Sequence, residues 1–197
     1  VNNIMTALYA FVVISFFITI VDIIIRFPLQ SEMIDYNDIQ AIVINVLALL
    51  IQIVFFAYGF VNAIRGMLSP KRMGAVIVAF FAATCITGTG NMVINSNVQI
   101  VLWWIVLIIP NIVGAVATFA YFVSGKKSKI YSIIIYLAAI WGMFRIIYSN
   151  YNLIVHANQY LSMNSTVRLV LGIAIHCLVI YQTYVLWIKR QNAIDIS

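Results

Sequence analysis

The chain has 197 residues, of which 64% are hydrophobic and only 8% charged, with a net charge of +6. A soluble domain carries roughly 25% charged residues, so these proportions exclude one. Nor does the positive charge point to nucleic acid: in so apolar a chain the position of each Lys and Arg outweighs their sum.

Runs of about 20 apolar residues, enough to cross hydrocarbon as a helix, recur along the chain. The expected spans are 4–27, 39–64, 74–94, 99–123, 130–149 and 166–188. They define an all-α polytopic membrane protein, a bundle of six transmembrane helices forming one domain over 1–197. The first run lacks the basic flank and small-residue cleavage site of a signal peptide, and it is too long for one.

The first connection is acidic, with Glu32, Asp35 and Asp38. The second carries Arg65, Lys71 and Arg72, the fourth Lys126, Lys127 and Lys129, and Lys189 and Arg190 follow span six. Lys and Arg collect on the cytoplasmic side, so these three regions share it and both termini are expected there. The expected location is the inner membrane of a bacterium. Tyr121, Phe122, Tyr131 and Trp187 suit the inner interface, and Trp103, Trp104, Tyr148, Tyr151 and Tyr160 the outer one. Ala79 with Ala83, Gly114 with Thr118, and Ala138 with Gly142 are small pairs that allow helices to approach closely.

In span three, the run from Ile86 to Asn91 has the glycines of a phosphate loop. It lacks the Lys-Ser/Thr and the strand-to-helix setting, so it reads as a tightly packed outer half of a helix. Cys85 and Cys177 both fall within apolar runs and read as packed small residues. Span four holds Pro110 and Asn111 at its centre. Proline removes a backbone donor, so a kink is expected there, with the freed carbonyl and the Asn111 amide seeking partners inside the bundle. Asn164-Ser165-Thr166 matches a glycosylation sequon and equally suits a helix start.

Aligning span centres brings Ser15, Gln52, Thr84, Asn111, Trp141 and His176 to one midplane layer. Such a layer is either a buried polar site or hydrogen bonding between helices. His176 has no second metal ligand three or four residues away, so no metal site is expected, and a bond to Asn111 or Gln52 is. A second group is ionic: Asp22, Arg26, Arg145 and Arg168 lie toward the outer side. Asp22 and Arg145 sit ~8–10 Å from their span centres at 1.5 Å per residue, still within hydrocarbon, where each charge needs a partner. This group is either an outer pocket for an anion or a structural pairing of Asp22 with Arg145.

No nucleophile–base motif, zinc motif or cofactor fingerprint occurs, so neither an enzyme nor a bound cofactor is expected. The expected role is that of a non-enzymatic membrane subunit, of scaffold, sensor or immunity type. It would sit in the lipid bilayer as a homo-oligomer, coupled to a soluble cytoplasmic partner through the basic inner face. The alternative is a small-solute or anion transporter or channel using the midplane layer.

Overall fold

Within hydrocarbon a backbone must satisfy its own polar groups, and a helix does so within one segment. The computed structural model follows this rule. It describes residues 2–30, 36–94, 98–126, 128–149 and 163–194, and among them there are six helices and no strand. They are α1 (Asn2–Gln30), α2 (Tyr36–Ile64), α3 (Pro70–Ile94), α4 (Val98–Thr118), α5 (Lys129–Ser149) and α6 (Met163–Ile194). Five are long and apolar enough to cross a membrane, and α4 contributes a shorter apolar stretch, Ile108–Val123. A multi-pass membrane protein fits this architecture.

The helices form a closed ring in chain order. Each packs on its neighbours in sequence, α6 returns to α1, and α3 meets α6 across the middle. The inner position of α3 and α6 shows in their burial: half of each span is buried, against 17% for α2. Paired contacts give the directions. Along α3 and α4, Gly74 faces Phe122, Phe81 faces Gly114, and Cys85 Sγ lies 4.0 Å from the Ile108 carbonyl. Along α5 and α6, Gly142 faces His176 and Ile146 faces Gly172. As one number rises the other falls, so both pairs are antiparallel.

The same contacts sort the ends of the bundle. Tyr9 of α1 touches Gly59 of α2 and Gln182 of α6. Gly59 lies near the end of α2, and Gly74, near the start of α3, lies against the residues that follow α4. The connections at 65–69 and 124–128 therefore share one end with the first half of α1 and the last half of α6.

Small residues make these approaches possible, because a Cβ on Gly59, Gly74, Gly114, Gly142 or Gly172 would strike a side chain of the neighbouring helix. Gly114 meets Ala138, so one member of each of two expected small pairs lies at the α4–α5 contact. Phe16, Phe56, Phe81, Tyr9, Tyr121 and Phe122 fill the interior. The Ile86–Asn91 region continues α3 as helix, with Gly88 buried.

Pro110 lies inside α4, which runs as α-helix from Val98 to Thr118. From Phe119 to Val123 the chain continues as a π-helix, with Ser124 N–H donating to the Phe119 carbonyl at 2.9 Å. Cys177, expected to be packed, is exposed on the outer face of α6.

Candidate functional site

Three polar regions stand out, and the midplane comes first. His176 is 3% exposed on α6. Its Nδ1 donates to the Gly172 carbonyl of its own helix at 2.6 Å. That bond leaves Nε2 as the outward nitrogen of the ring, and Nε2 lies over Gly142 of α5. Phe80 of α3 meets the imidazole edge-on, with centroids 5.0 Å apart. Arg145 is half-buried on α5, one turn beyond Gly142.

The other members of the layer are differently engaged. Thr84 Oγ1 donates to the Phe80 carbonyl at 3.0 Å. Ser15 is buried, and its carbonyl accepts from Thr19 Oγ1 at 2.9 Å. The Thr84 hydroxyl, bonded back to its own helix, meets its donor need locally. Asn111 is buried and Gln52 half-buried. Trp141 lies on the outer surface beside Phe144, in a row that continues to Tyr148.

In the ionic group only the side chain of Arg145 is described. The side chains of Asp22, Arg26 and Arg168 lie outside the described residues.

The third region is the end that gathers the connections. Arg65, Lys71, Lys126, Lys129 and Lys189 are exposed there. Lys127 and the side chain of Arg190 lie outside the described residues. Local signals build both turns. Gly66 at φ +65° ends α2, with Gly66 N–H donating to the Ala63 carbonyl and Met67 N–H to the Asn62 carbonyl, the paired bonds of a glycine-terminated helix. Ser69 and Pro70 then open α3, and Ser69 Oγ accepts from Arg72 N–H at 3.3 Å. Gly125, at φ +70°, ends the π-helix. Lys126 Nζ lies 5.9 Å from the centroid of the Tyr131 ring.

Arg72 behaves differently from the other cations. Its Nη1 donates to Asn62 Oδ1 at 2.8 Å and to the Met67 carbonyl at 2.6 Å. Asn62 Nδ2 in turn donates to the Tyr58 carbonyl at 2.7 Å. Arg72 thus fastens the end of α2 to the start of α3.

Sequence reasoning missed one pair. Gln182 of α6 is fully buried and its Nε2 donates to the hydroxyl of Tyr9 on α1, also fully buried. Gln182 Oε1 has no hydrogen-bond partner among the described residues. The signal was an amide within an apolar run. It lies a turn off the span centre, and Tyr9 reads as an ordinary interfacial aromatic.

No protein-family model matches the chain, and neither does any curated protein or solved structure.

The chemistry open to these groups is hydrogen bonding and charge attraction. Among the described residues no three of His, Cys, Asp and Glu converge on one point.

Proposed function

We propose that the chain is a non-enzymatic membrane subunit that engages a soluble cytoplasmic partner through the end carrying the basic connections. The observation that supports this is the exposure of Arg65, Lys71, Lys126, Lys129 and Lys189 on the two turns and the last helix that share one end. In this reading all six helices cross, α4 included, both termini are cytoplasmic, and the membrane is the inner membrane of a bacterium. The ring presents apolar faces to lipid and to further copies of itself. The partner is acidic at its contact, since it meets a concentrated positive field. The filled interior favours a scaffold: Phe80 and His176 touch across the middle of the ring.

The test is co-purification from native membranes. A stoichiometric soluble protein should accompany the wild-type chain and be lost when Lys126, Lys127 and Lys129 are replaced by Gln. Retention of the partner by that variant would remove the basic end from the mechanism.

A second reading, a permease for a small solute or anion, draws on the buried Asn111, His176 and Gln182. Flux into proteoliposomes that disappears with Asn111→Leu or His176→Leu would favour it over the first.

A further inference from the structure

Gln182 and Tyr9 join the first helix to the last, and their hydrogen bonding does not close. A glutamine amide offers two N–H donors and a carbonyl acceptor. Gln182 Nε2 donates to the Tyr9 hydroxyl, which leaves Oε1 fully buried with no partner among the described residues. In this arrangement the phenolic hydrogen of Tyr9 also needs an acceptor. Turning the amide over lets Tyr9 donate to Oε1 and carries the Nε2 donors to the side where Oε1 meets no partner. As the pair stands, one polar end of Gln182 is unmet, in surroundings where such groups are ordinarily paired.

We propose that the α1–α6 seam holds one internal water molecule bound between Tyr9 and Gln182. Water carries donors and acceptors together, so it completes either amide orientation. It donates to Oε1 and accepts from the Tyr9 hydroxyl, or accepts from Nε2 once the amide is turned. The surroundings select for small size and neutrality. Tyr9 lies against Gly59, where even a Cβ would collide with the ring. Phe56 packs on Tyr9 with centroids 6.2 Å apart, and Thr183 beside Gln182 is fully buried with its hydroxyl donating to the Val179 carbonyl at 2.8 Å. None of these groups carries a charge that could hold an ion. Buried waters of this kind make about three hydrogen bonds to polar groups that would otherwise lack them. The pair is therefore a hydration site built into ring closure, and neither functional reading above is needed for it.

Radiolytic footprinting of the protein in lipid nanodiscs tests this. X-rays convert bound water into hydroxyl radicals that modify the adjacent side chain, and mass spectrometry locates the mark. After normalisation to the unfolded chain, Tyr9 should be modified several-fold faster than Phe16 and Phe56, which are equally buried. Gln182→Leu should bring Tyr9 down to their level. Equal modification of Tyr9 and Phe16 in the wild-type protein would overturn the proposal, and that comparison needs no variant to fold. Full modification of Tyr9 in a folded Gln182→Leu protein would overturn it as well, since Gln182 would then not hold the water.

Discussion

The imidazole of His176 rests on the backbone of Gly142, one helix away, so closely that a Cβ at 142 would overlap Nε2. The contact holds α5 against α6 at the level where Phe80 reaches across from α3. Gly142→Ala should therefore destabilise the bundle by about 1–3 kcal/mol, the usual range for overpacking. Thermal unfolding in nanodiscs measures it. His176→Ala in the same background should recover part of the loss by vacating the space. Unchanged stability of Gly142→Ala would show that the helices are not this close.

Arg72 and Lys126 sit at the same end of the bundle but should respond unequally to neutralisation. Arg72 donates to Asn62 and to the Met67 carbonyl, whereas Lys126 is exposed. Charge-assisted hydrogen bonds contribute about 1.5–3 kcal/mol when buried, and partial exposure brings the expectation for Arg72→Gln to about 1 kcal/mol. Lys126→Gln should leave stability within about 0.5 kcal/mol, as surface changes generally do. Asn62→Ala combined with Arg72→Gln should cost less than the sum of the two, because they share one bond. Additive losses would mean that the Asn62–Arg72 bond contributes nothing.

These two predictions mark what could be read before any coordinates. Helix positions were legible because hydrocarbon admits little else for an apolar backbone: expected spans 39–64 and 130–149 match α2 and α5 to within a few residues. Contact residues were legible where a small side chain had one plausible use, as at Gly114 and Ala138. Partnerships were not. Tyr9 and Gln182 are 173 positions apart and meet only because the ring closes. Arg72 looked like one cation among several, since its partner is a carbonyl that no sequence pattern exposes. The π-turn was hidden for a related reason. Pro110 advertises a broken hydrogen bond locally, while the register change appears at Phe119–Val123, where α4 meets Gly74.

Arg145 is half-buried within α5, and a charge at that depth requires compensation. Asp22 lies at the matching level of α1 by residue count. If the two are coupled, Asp22→Asn and Arg145→Gln should each lower stability in detergent, and the double variant should lose less than their sum. An interaction energy of 0.5 kcal/mol or more is the threshold for contact. Strict additivity would assign Arg145 to other partners.

The arrangement of the ends makes a prediction about topology that does not depend on any partner. Residues 65, 126 and 189 belong to two connections and the last helix, which share one end of the ring. Between 65 and 126 the chain passes along α3 and back along α4. If all six helices cross the membrane, cysteines at these three positions must meet the same compartment. Arg65→Cys, Lys126→Cys and Lys189→Cys, each made after replacing Cys85 and Cys177 with Ala, should resist an impermeant maleimide in intact cells and react once the membrane is opened. By the Lys and Arg bias the expected compartment is the cytoplasm. Reaction of all three in intact cells would reverse the orientation and leave the bundle intact. Reaction of the cysteines at 126 and 189, with that at 65 protected, would mean that α4 turns back within the bilayer, and the basic turns would then be unable to form one surface for a partner.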